Sequence, residues 1–98
     1  MMTMSETVEK GLFTSLMEDE KFKSSVYYLT LSYYSPTLEE TQKFVGGLIE
    51  MKFLHGEQVL WNEEGLMREL PFNDKASHDV GFDLVGNVLR LKDEAQME

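Results

Sequence analysis

The chain contains no cysteine, two prolines and one tryptophan, and its 98 residues carry 9 basic side chains against 18 acidic ones. Each shortage excludes something. Without cysteine there is no disulfide, thiolate metal site or cysteine nucleophile. A small secreted domain without such staples is unusual, so a reducing cytoplasm is the expected compartment. The formal net charge of -9 repels phosphate backbones and anionic lipid unless a basic patch is segregated on one face, and the sequence shows no such patch. Direct binding to nucleic acid or membrane is therefore not expected. Residues 1 to 6 hold no basic segment and no long apolar run follows, so neither a signal peptide nor a membrane span is expected. The seven glycines form none of the patterns G-x-S-x-G, G-x-x-x-x-G-K or G-x-G-x-x-G, which removes the hydrolase, nucleotide and dinucleotide signatures.

What is present suffices for one small domain. Hydrophobic residues at 42% and aromatic residues at 11% supply enough apolar surface to offset ordering entropy. Ser5 followed by Glu6, Thr7 and Val8 predicts a helix start, with Val8, Leu12, Leu16 and Met17 as an apolar stripe. Val26 to Tyr34 is dense in β-branched and aromatic residues and predicts a central strand buried on both faces. Thr37 and Glu40 have the spacing of a capping box, opening a helix from Leu38 to Val45 that Gly46 and Gly47 close. Period two then returns, with Ile49, Met51 and Phe53 expected inward and Glu50 and Lys52 outward, up to a turn at His55-Gly56-Glu57. Val59 and Trp61 continue the apolar face. Asn62 to Gly65 reads as a second turn, with Gly65 suited to a positive φ, followed by a strand over Leu66 to Leu70. Asn73 is placed to cap a helical turn over Phe72 to Ser77, and Leu84 to Lys92 reads as a last strand, in which Gly86 marks a bulge or a close backbone approach.

The expected fold class is α+β, a mixed and mostly antiparallel sheet of 4-5 strands with two main helices and a short helical turn. If the Val26 strand joins the Leu48 to Leu54 strand as a parallel neighbour, the helices lie on one side. Residues 1-24 form an amphipathic N-terminal helix added to an α+β core over 25-92, and 93-98 form a flexible acidic tail.

Four segments, FVGGLIEM, LWNEEGL, LPFNDKA and a late D-x-VGNVL, together resemble a family of small proteins of unknown function encoded by bacteriophages, plasmids and some bacteria. The likeness spans roughly Val26 to Leu91. The family's recognisable positions fall here on Gly46, Gly47, Ile49, Glu50, Asn62, Glu63, Glu64, Gly65, Leu70, Asn73, Asp83 and Gly86. Members often carry a basic residue after the asparagine that matches Asn73; this chain has Asp74, which argues against anion binding at that corner. The resemblance implies a phage-type origin in a bacterial cytoplasm and brings no activity with it.

No catalytic set, cofactor or metal site is expected. Glu63 and Glu64 are adjacent on a turn and point apart, so they read as solvated residues and not as an acid–base pair. His55 in a turn and His78 in a loop lack the i, i+4 spacing of paired metal ligands. Trp61 reads as a core tryptophan that also borders the Asn62 turn, and tryptophan is a common interface anchor. The candidate interaction surface is accordingly Trp61, Asn62, Glu63, Glu64 and Asn73. The expected function is a non-enzymatic accessory protein binding a host or phage protein. Two alternatives differ in class: an acidic nucleic-acid mimic that inhibits a DNA-binding enzyme of restriction or CRISPR type, and a homo-oligomeric structural protein, with a homodimer as its simplest form.

Overall fold

A computed structural model describes residues 3–97, with backbone alone for residues 3–7. The elements run in the order β1 (Thr3–Thr7), α1 (Lys10–Glu18), β2 (Val26–Leu31), α2 (Leu38–Val45), β3 (Ile49–Leu54), β4 (Glu57–Asn62), α3 (Asp74–Val80) and β5 (Val88–Leu91). Single 3-10 turns occupy Glu20–Ser24 and Asp93–Ala95. The class is α+β, and one mixed sheet has the order β1-β2-β5-β4-β3. β1 and β5 flank β2 in parallel, whereas β4 pairs antiparallel with both β5 and β3. Parallel and antiparallel pairings are thus two each. The expected antiparallel majority is lost because the N-terminal segment adds a parallel strand and Leu66 to Leu70 adds none.

Side chains alternate across a strand, so β2 feeds two cores. Tyr27, Leu29 and Leu31 join Phe13 and Met17 of α1, Phe44 and Val45 of α2, and Leu60, Leu89 and Leu91 of the neighbouring strands. Tyr28 points to the opposite face and packs with Val59, Ala76, Leu84 and Val88. Helices therefore cover both faces, α1 and α2 on one and α3 on the other. β3 runs in the same direction as β2, but β5 and β4 lie between them, so the expected parallel neighbour of β2 is β5 instead.

The N-terminal segment differs from expectation. Ser5 lies within β1, and the Val8 amide continues the pairing by donating to the Thr30 carbonyl at 2.9 Å. A lone edge on buried β2 leaves backbone groups unpaired, and a parallel strand satisfies them. The helix begins only at Lys10, with Glu9 as an N-cap lacking a side-chain cap bond, and it buries Phe13 and Met17 while Leu12 stays exposed. Residues 3–24 thus complete the sheet and its core instead of standing as an addition. The C-terminal residues are also anchored. Ala95 is buried, and the Met97 amide donates to Gln58 Oε1 at 2.6 Å while Gln58 Nε2 donates back to the Met97 carbonyl.

Local signals in the middle of the chain match their expectations. Thr37 and Glu40 form the capping box, and Gly46 closes α2 in the left-handed region. His55 and Gly56, both at positive φ, make a two-residue hairpin between Leu54 and Glu57; this is the turn whose twist matches its flanking strands. Asn73 caps α3, which extends past the expected turn to Val80 and so makes His78 helical and not part of a loop. β3 departs from its pattern: Met51 and Phe53 are exposed, because the strand is the last in the sheet and, on that face, Ile49 packs against the α1/α2 core while the two residues beyond it do not.

Candidate interaction surface

Asn62 ends β4 and is buried. Its Nδ2 donates to the Val45 carbonyl at the end of α2, at 3.1 Å, and its Oδ1 accepts the Glu64 amide at 2.8 Å. The side chain thus replaces backbone partners at a helix end and starts a turn with the same amide group. Gly65 follows beneath Val85, where an added Cβ would lie 2.9 Å from Val85 Cγ2. The expected positive φ is absent; the glycine is required by this close approach.

Residues 65–70 then form one helical turn. The Leu70 amide donates to the Gly65 carbonyl at 3.1 Å and the Glu69 amide to the Leu66 carbonyl at 3.2 Å, with Glu69 at φ 55°. That pair of bonds about a left-handed residue is the Schellman closure of a helix. The strand expected over Leu66 to Leu70 does not form. Alternation of Leu66, Arg68 and Leu70 fits a strand, but β3 and β5 already occupy both sides of β4, so the segment cannot pair beside the strand it follows. Arg68 fixes the loop from outside, through Nη1 to the Gly46 carbonyl at 3.0 Å and an exposed ion pair with Glu64 at 3.5 Å. Leu66 and Met67 consequently project from a tied loop, 77% and 84% exposed.

The five residues singled out from sequence divide between surface and interior. Trp61 is half-buried on the α3 face, edge-on to Phe82 with ring centroids 5.6 Å apart. Glu63 is exposed and Glu64 partly so. Asn62 supports the loop from beneath. Asn73 is wholly buried, donating to the Tyr27 and Gly86 carbonyls at 3.0 and 2.8 Å and accepting the Ala76 amide at 3.1 Å. Leu66 and Met67 were not among the five, since a strand reading hides what a turn exposes.

A second region, on the α3 face, is a cleft of about 480 Å³ in which Tyr28, Glu57, Asp79, Arg90 and Lys92 meet. The Tyr28 hydroxyl donates to Asp79, and the Arg90 guanidinium binds Asp79, Glu57 and, at 3.0 Å, the Tyr28 oxygen. Lys92 stands 3.6 Å from Glu57. Burial, and then the hydrogen bond to Asp79, push the Tyr28 hydroxyl up to about 12. Burial works against the Arg90 charge, yet its bonds to Tyr28 and Glu57 outweigh that and hold its pKa above the ordinary value. Arg90 is committed between two carboxylates, so this network ties α3 to β4 and β5 and leaves no open guanidinium for an anion. Among the described residues no three metal-ligating side chains come together, and no helix is long and apolar enough to cross a membrane.

Comparison with family models, with curated proteins and with solved structures finds no match.

Proposed function

We propose that this chain is a small non-enzymatic accessory protein of phage type, acting in the bacterial cytoplasm by binding a protein of the host or the phage through the loop that follows β4. One observation carries the reading: the two most exposed aliphatic side chains among the described residues, Leu66 and Met67, sit on a loop that Asn62, Gly65 and Arg68 tie down. An apolar tip held in place before binding loses little conformational freedom when a partner covers it. Methionine adapts its shape to an irregular pocket. Glu63 and Glu69 flank the tip, so the complementary surface is an apolar pocket rimmed by basic side chains. One of the segments that resemble the phage family, LWNEEGL, ends at Leu66 of this loop.

The test is affinity capture from a bacterial lysate with the wild-type chain and with a Leu66→Ser, Met67→Ser double variant. Both side chains are solvent-exposed, so the variant should keep its unfolding midpoint within about 0.5 kcal/mol of wild type. Partner recovery should fall by at least about tenfold, as loss of a central interface anchor entails. Equal recovery by the two proteins would refute the assignment of this loop.

A further inference from the structure

β3 is the last strand of the sheet, and its outer edge is not paired among the described residues. Its backbone polarity follows from its contacts. The Glu63 amide donates to the Leu48 carbonyl on the β4 side at 2.8 Å. In an antiparallel ladder, residues two apart address the same neighbour, so Glu50, Lys52 and Leu54 also face β4. The amides and carbonyls of Ile49, Met51 and Phe53 are therefore the ones at the free edge.

The side chains are arranged just as regularly. Glu50 stands opposite Trp61, and Lys52 Nζ lies 5.0 Å over the Phe82 ring, which places both on the α3 face. Ile49 packs against the α1/α2 core, so Met51 and Phe53 share that face, 44% and 60% exposed. Natural edges are normally blunted by proline, a bulge, a cluster of like charge or a covering loop. β3 has an unbroken six-residue register with β4, no proline, and one charge of each sign on its polar face.

We infer that β3 pairs antiparallel with β3 of a second copy of this chain, about a two-fold axis through Met51. In that register Met51 opposes Met51 and Ile49 opposes Phe53, so the apolar face runs continuously across the junction. Glu50 opposes Lys52 on each side of the axis, which gives two complementary charge pairs. Sliding by two residues either way sets Glu50 against Glu50 or Lys52 against Lys52, and like charges directly opposite are destabilising. A shift by one residue turns the free amides away from the partner. The strand's own sequence thus selects one register. Three residue pairs carry outward amides, so the junction gains on the order of six backbone hydrogen bonds. The occupant is a second copy because charge and backbone polarity complement themselves under this one two-fold operation, as an isologous interface requires. The surface is the strand edge and not the Leu66–Met67 loop, so this inference stands apart from the proposed function.

Sedimentation equilibrium on the full chain tests it with four proteins: wild type, Glu50→Lys, Lys52→Glu and the double exchange. Wild type should be a reversible dimer at concentrations up to about 500 µM, the range in which interfaces below about 1,200 Å² associate. Each single variant turns two attractive pairs into repulsive ones and should weaken the dimer by about tenfold or more. The double exchange restores both pairs and should restore the dimer. Far-UV circular dichroism of each variant separates loss of pairing from loss of fold. A wild type that stays monomeric over this range, single variants that dimerise like wild type, or a folded double exchange that fails to recover would each overturn the proposal.

Discussion

Single side chains do much of the tying in this molecule, and asparagine does it three times. Asn62 joins β4 to α2, Asn73 joins α3 to β2 and to the Gly86 turn, and Asn87 accepts the Tyr27 amide at 2.8 Å while donating to the Phe44 carbonyl at 3.0 Å. An amide side chain both donates and accepts, so each can satisfy backbone groups on two elements at once. Gly86 is needed beside Asn73, at φ 75° and with Leu70 only 2.8 Å from where a Cβ would stand. Tyr28 supplies a pH-dependent link of the same kind. Its pKa is raised in the folded chain from 10.0 to about 12; folding therefore favours the protonated phenol. That contribution is complete below about pH 10 and disappears as pH rises from 10 to 12. Urea midpoints measured from pH 8 to 12 should fall across that window. Phenylalanine at position 28 cannot ionise, so Tyr28→Phe should flatten the fall by on the order of 1–2 kcal/mol. An unchanged alkaline slope would show that Tyr28 is not responsible.

At the scale of elements, what distinguishes the chain is the helical turn at residues 65–70. It was not legible from sequence because its alternating leucines satisfy a strand template as well as a turn, and glutamate is a poor marker for the left-handed residue that closes it. Left-handed backbone at a residue with a Cβ costs about 1–2 kcal/mol. Glu69→Gly should therefore stabilise the protein by about 0.5 kcal/mol, part of the relief being lost to the greater freedom of glycine in the unfolded chain. Chemical denaturation checks it, and a destabilised variant would mean that Glu69 makes a contact outweighing its strain. The elements that were legible announce themselves through bonds closed within a few residues: the Thr37–Glu40 box, the Gly46 cap, the His55-Gly56 turn and the Asn73 cap.

The molecule as a whole is one body, and Val8, Phe13 and Met17 of its N-terminal segment belong to its core. Its radius of gyration is 12.1 Å, against roughly 12.6 Å for a single domain of this length, which leaves no room for a detached N-terminal helix. Phe13 is completely buried against the Phe44 ring, with centroids 5.5 Å apart, and Phe22 stacks on Tyr27 at 5.6 Å. Removing one such buried phenylalanine side chain costs about 3–5 kcal/mol, and a small domain holds only about 5–15 kcal/mol in total. Deletion of residues 1–24 strips β1, Phe13, Met17 and Phe22 together and should abolish cooperative unfolding, seen as a flat circular-dichroism melt. A truncated chain that melts cooperatively near the wild-type temperature would restore the view of this segment as an addition.

Sequence by itself determined the local devices and most apolar segments, because caps, tight turns and alternation act over a few residues and need no knowledge of distant partners. It also located the Asn62 to Gly65 corner, where the candidate surface begins. Only the tertiary structure decided the strand order, the strand at residues 3–7, the exposure of Met51 and Phe53, and the turn that lifts Leu66 and Met67 into solvent. The reason is competition for neighbours. Which neighbour a strand-forming segment meets depends on the whole sheet: with β5 between β2 and β4, β3 becomes an outer edge, and with β3 and β5 on either side of β4, residues 66–70 have no place beside the strand they follow.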